Sequence, residues 1–179
     1  MSHEQFDQKY LRVVAVLVLD LTGFTEAAAR GGCIASFLRI LDGQKVCLPV
    51  LREAKAEFVR TFADDMVALF AEPGAALDAA LEIHRRTARF EPAPGALERA
   101  ECCIGVGYGP IYAIGPNHAM GDEMNRTSKL GEDTARGGEI LVTEGARAAL
   151  EGREDMTFEA QTSDDLIFPY FKVVPAPTA

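Results

Sequence analysis

Basic charge is scarce in this chain of 179 residues. Eighteen lysines and arginines stand against 27 aspartates and glutamates, for a net charge of −9. That balance argues against broad binding to nucleic acid or to an anionic membrane, since both need basic surface. Long apolar runs are also missing. None reaches the roughly 20 residues that span a bilayer. The opening MSHEQFDQKYLR is polar and has no apolar signal-peptide segment, so a cytoplasmic protein is expected. There are four cysteines, Cys33, Cys47, Cys102 and Cys103, and none forms a C-x-x-C pair. The usual zinc spacings are therefore absent, and reduced core cysteines are expected. Internal repeats and low-complexity segments are lacking as well.

What is present is a strong alternation of elements. Leu11 to Leu19 is apolar on both faces, which predicts a central strand covered on both sides. Phe24 to about Ala56 has helical spacing, interrupted at Gly31-Gly32 and kinked at Pro49. Glu57 to Phe62 and Met66 to Phe70 read as strands joined by an Ala63-Asp64-Asp65 hairpin turn. An amphipathic helix follows over Ala75 to Phe90, then a loop at Pro92-Ala-Pro94-Gly95. Arg99 to Tyr108 and Ile111 to Ile114 read as a second strand pair turning at Gly109-Pro110. Gly121 to Ala135 is a helix closed by Gly137-Gly138. Glu139 to Thr143, Glu144 to Leu150 and Phe158 to Val174 supply a strand, a short helix and the last strands. The expected fold class is α+β: a ferredoxin-like βαββαβ core with a C-terminal α/β extension. The expected division is a tail at 1–10, one domain at 11–174 and a tail at 175–179.

The stretch VVAVLVLDLTGFTE ends an apolar strand in Asp20. The hairpin places Asp64 beside that strand end. Two neighbouring carboxylates repel, and burying both ionised is costly unless a cation lies between them. Hard divalent ions take such oxygen ligands, Mg²⁺ often with substrate phosphates. Thr22, Gly23, Phe24 and Thr25 then open a helix whose backbone N–H groups suit phosphate. The alternative is a pair of solvated turn acids. A second cluster is GDEMNRTSKL, where Asn125 and Lys129 lie four apart on one helical face. A neutral donor and a cation aimed together can stabilise charge on a phosphoryl group.

The blocks VLVLDLTGFT, VRTFADDMVALF, IGVGYGPIYAIG and MGDEMNRTSKLGEDTARGGEILVTEGA, in that order, resemble the catalytic domain of class III nucleotidyl (adenylate/guanylate) cyclases over roughly residues 11–150. The "SKLGED" wording is similar to that of a bacterial subgroup. The resemblance implies that Asp20 and Asp64 bind two Mg²⁺ or Mn²⁺ ions, with the Leu21 carbonyl helping. It places Gly23 and Phe24 in the loop over the phosphates. Asn125 matches the residue that positions the ribose, and Lys129 stands where the family has a phosphate-contacting arginine. Arg60 and His118 fall at the base-reading positions. The implied partners are a nucleoside triphosphate, with ATP favoured, and a second copy of the chain in a homodimer with shared active sites. Three departures stand out. Lys129 keeps charge but not the planar fork of arginine, Arg60 with His118 reproduces neither usual base pair, and Lys172 lies beyond the family's triphosphate lysine. These leave open an active cyclase, a cyclase-like module that binds nucleotide weakly or only dimerises, and other phosphoryl transfer on the same core.

Overall fold

The structure is a computed structural model that describes residues 1–22, 24–91, 101–115 and 118–176, without the side chains of 24–28 and 30. The Pro92–Gly95 loop expected above lies outside the described residues. Strand β1 (Leu11–Leu21) is an interior strand of the sheet, flanked by a strand on each side. Its alternate residues serve two different cores, so Val14 to Leu19 is at most 2% exposed. On one face Leu17 and Leu19 pack with Leu51, Phe70, Leu77 and Ile83. On the other, Val14, Val16 and Val18 pack with Val67, Leu69 and Ile111. The continuous apolar run is thus explained by burial on both sides.

Helix α2 (Phe24–Glu53) follows, broken at Gly32, whose φ of 75° no helix accommodates. Pro49 lies inside it. Strands β2 (Phe58–Phe62) and β3 (Asp65–Phe70) form the expected hairpin. Helix α3 (Pro73–Thr87) then packs on the first core, with Pro73 at its start, where a missing N–H costs nothing. With β4 spanning Cys102–Ile114, the sheet order β2-β3-β1-β4 of the first four strands on the main path is the ferredoxin-like order. Strands β6 (Ile140–Thr143), β8 (Tyr170–Pro175) and β7 (Met156–Gln161) extend it beyond β4, and β5 (His118–Met120) pairs β4 separately. Helix α5 (Glu144–Ala149) is N-capped by Thr143. Residues 1–10, expected as a tail, carry helix α1 (His3–Tyr10), where Phe6 packs on Tyr112 and Asp7 accepts a 2.6 Å bond from the Tyr112 hydroxyl.

Strand β4 corrects the sequence reading. It runs unbroken from Cys102 to Ile114, with no turn at Gly109-Pro110, and pairs β1 along its length. The Tyr108 N–H points away from β1, to Glu123. Two residues on, the Pro110 nitrogen faces the same way, between the stretches paired to β6 and β5. Proline is tolerated in a strand where no ladder partner asks for its N–H. Cys102 and Cys103 point to opposite faces and are buried with Cys47, whereas Cys33 is exposed. No helix among the described residues is long and apolar enough to cross a membrane.

Candidate active site

Asp20 lies one residue from the end of β1, and Leu19 pairs with Met66. The next step along the ladder sets Asp20 against Asp65. The hairpin closes through Ala63 and Asp64, with Phe62 paired to Asp65. Ala63 takes a φ of 53°, a left-handed conformation that costs a non-glycine residue about 1–2 kcal/mol. The tight turn brings Asp64 back to the strand end. Asp20, Asp64 and Asp65 each offer a carboxylate oxygen, all within 4.8 Å of one another. The pairing of Asp20 with Asp64 expected from sequence is present. Asp65, read above only as a turn acid, joins them. Its ladder position opposite Asp20 brings it there, and the register that sets this position is not written in the local sequence.

The electrostatics follow from crowding. Burial first, then Asp64, Asp65 and Glu132, push the Asp20 carboxyl up to about 7, against a bond from the Leu21 backbone. Asp65 is raised by burial and by Asp64, and lowered by its hydrogen bond with Asp20 and by Arg60. Glu132 is raised by burial and by Asp65. A set of hard oxygen donors with excess negative charge fits a divalent cation and suits no soft metal.

Thr22 is tied to Glu101. Its N–H donates to the Glu101 carbonyl at 2.9 Å, and its hydroxyl bonds both the Glu101 carbonyl and N–H. Arg39 donates to the Thr22 carbonyl at 2.9 Å. Thr22 therefore pins the chain as it leaves β1. Gly23 and the side chains of Phe24 and Thr25 lie outside the described residues. Leu21 is buried on the core face, paired with Cys102.

The second cluster is placed by glycines. Helix α4 (Asp122–Ser128) continues into a π-helical segment (Lys129–Thr134), where a single helix over 121–135 was expected. Both lie close on β4 because Gly105, Gly107 and Gly109 carry no side chain. A Cβ on Gly107 would collide with the Thr127 hydroxyl. One on Gly105 would collide with the Thr127 carbonyl and lie 2.8 Å from the Gly131 nitrogen. Glu123, only 7% exposed, reaches into the same seam and accepts from the Tyr108 N–H at 2.9 Å and from the Thr143 hydroxyl. Sequence reasoning missed it, because a glutamate between charged neighbours reads as a surface residue.

The packing fixes the outward face. Asp122, Asn125, Arg126 and Lys129, at helical spacing, line one wall of a groove of about 460 Å³, and residues 165–168 line the other. None of the three aspartates lines it. Lys129 ion-pairs with Asp133 at 2.9 Å, and its ammonium pKa is raised by that pair and by Asp165. Arg60 is exposed on β2, near enough to Asp65 and Glu132 to influence both. His118 is exposed on β5. Lys172 bonds Glu139 at 2.7 Å, well occupied within the sheet extension.

No family model matches the chain, and no curated protein sequence matches it. Its architecture is nevertheless that of class III adenylyl and guanylyl cyclase catalytic domains. The guanylate cyclase domain of RhGC from Catenaria anguillulae, solved with GTP, superposes with a TM-score of 0.75 at 18% identity, over 92% of this chain and 97% of that one. An adenylate/guanylate cyclase/hydrolase from Silicibacter pomeroyi gives 0.73 at 24% identity, over 94% and 98%. The adenylyl cyclase CyaB from P. aeruginosa gives 0.71 at 15% identity, over 93% and 96%. At these identities the likeness establishes the fold.

Proposed function

We propose that the chain is a nucleotidyl cyclase that closes ATP or GTP to the 3′,5′-cyclic nucleotide with release of pyrophosphate. The observation that carries this reading is the convergence of Asp20, Asp64 and Asp65 at the end of β1, within 4.8 Å, on a cyclase fold. Asp20 and Asp64, with Asp65 beside them and the Leu21 carbonyl, would hold two Mg²⁺ or Mn²⁺ ions. Bound there, such ions lower the pKa of the attacking ribose hydroxyl and stabilise charge on the α-phosphate. Asn125 donates to the ribose and orients it. Lys129 offers positive charge to the phosphates. Arg60 and His118 meet the base, and both can donate to a purine.

The groove that carries Asn125 and Lys129 excludes the three aspartates. That separation supports a site completed by a second copy, one subunit giving the carboxylates and the other the α4 face. Of the solved relatives, the Catenaria domain holds GTP, and a rhodopsin-guanylyl cyclase core with converted specificity holds ATPαS. Both nucleotides therefore belong in the assay. Incubation with ATP or GTP and Mn²⁺ should yield cyclic product, and Asp20→Ala or Asp64→Ala should reduce it by at least about a hundredfold. Wild-type protein that forms no product at high concentration would sink the proposal. The Lys129–Asp133 pair favours a second reading, a nucleotide-binding cyclase-like module with weak turnover. Metal-dependent nucleotide binding without product is its signature.

A further inference from the structure

The groove beside α4 holds a cation that the proposed chemistry has not used. Arg126 lies on the same wall as Asn125 and Lys129. Its guanidinium carbon lies over the Phe168 ring, 5.7 Å from the ring centroid, a cation–π contact. Phe168 is itself half-buried against the cluster containing Leu130 and Tyr170, which anchors the shelf under Arg126. Among the described residues no carboxylate forms an ion pair with Arg126, whereas Lys129 is held by Asp133. The guanidinium is therefore oriented by an aromatic face and keeps its donors for a ligand.

We propose that Arg126 is a phosphate-binding residue of this chain, gripping the nucleotide triphosphate bidentately and supplying the planar contact that Lys129 lacks. The assignment rests on the nucleotidyl cyclase reading for the identity of the ligand. Asp122 and Asp165 also line the groove, so its formal charge is balanced. A groove of balanced charge offers little net attraction to an anion that brings only charge, and favours one that matches the guanidinium fork. Phosphate oxygens on one phosphorus have that geometry, and consecutive phosphates can meet Arg126 and Lys129 together.

The test is calorimetric titration of the full chain with Mg²⁺-ATP and, separately, with inorganic tripolyphosphate. Arg126→Ala should weaken both by roughly ten- to hundredfold, the range for losing hydrogen bonds to a charged group. Arg126→Lys should keep charge yet recover only part of the affinity, because the fork is gone. Phe168→Leu should weaken binding in the same sense by removing the shelf. Binding of tripolyphosphate by Arg126→Ala within about twofold of wild type would overturn the assignment, and so would full recovery by Arg126→Lys. The readout needs no turnover. Protein that binds through Arg126 but makes no cyclic product would leave this assignment standing and overturn the cyclase. An active cyclase indifferent to Arg126 would do the reverse, and wild type that binds neither probe would overturn both.

Discussion

Asp20 leaves water on folding and gains three acidic neighbours, and its carboxyl rises from an ordinary 3.8 to about 7. Between those values the folded chain keeps a proton that the unfolded chain has released. More protons are then bound in the folded state, so unfolding free energy falls as pH rises. The contribution is fully present below the unfolded value and is lost as pH climbs through about 7. Asp65 and Glu132 are shifted the same way. Metal-free protein should therefore be less stable to urea at about pH 8 than at about pH 5, and Asp20→Asn should flatten the difference. Added Mn²⁺ should restore stability at the higher pH, because the cation takes the place of the proton. A profile unchanged by Asp20→Asn would show that other groups set the slope. The clustering of Asp20 with Asp64 was legible in the sequence, because a two-residue hairpin has few ways to close. The membership of Asp65 and Glu132 was not, since it depends on ladder register and on a helix packed from elsewhere.

At the scale of elements, the seam between β4 and α4 decides where Asn125 and Lys129 point. The IGVGYG segment was legible as strand, but the purpose of its glycines was not. Each alternate position lies under α4 or the π-helical segment, and that contact is made by residues about twenty positions away. Gly107→Ala should push its methyl into Thr127 and Glu123, lift α4 and cost about 1–3 kcal/mol of stability. Turnover should fall with it, while metal affinity at the aspartates should hold. Urea denaturation and a metal titration would separate the two effects. Glu123→Ala should cost a similar amount, about 1–3 kcal/mol, by stranding the Tyr108 N–H and the Thr143 hydroxyl. The misread turn at Gly109-Pro110 has the same origin. Glycine and proline signal turns locally, yet here one fits beneath a glutamate and the other lies where the ladder has no partner.

At the scale of the whole molecule, one chain presents the carboxylates and the α4 groove as separate features. If two copies share their sites, inactive variants should complement. Asp20→Ala mixed with Asn125→Ala should recover about a quarter of wild-type activity, from half of the dimers each holding one intact site. Each variant alone should remain inactive. A mixture as dead as its components would place both halves in one chain. The activity per chain of wild type should also rise with protein concentration until the dimer is saturated.

The sequence by itself determined the elements and the core: an apolar strand buried on both faces, a hairpin carrying an acid to its end, and a polar helical face with Asn125 and Lys129. These are local matters of periodicity and turn chemistry. Tertiary structure decided which side chains meet. It added Asp65 and Glu132 to the carboxyl cluster, bound Thr22 to Glu101, and kept β4 whole through Gly109-Pro110. It also laid α4 on three glycines and set Arg126 on the Phe168 ring. Each of these joins residues remote in the chain or neighbours whose geometry a partner element imposes. Such contacts are fixed by register and packing, which no single segment encodes alone.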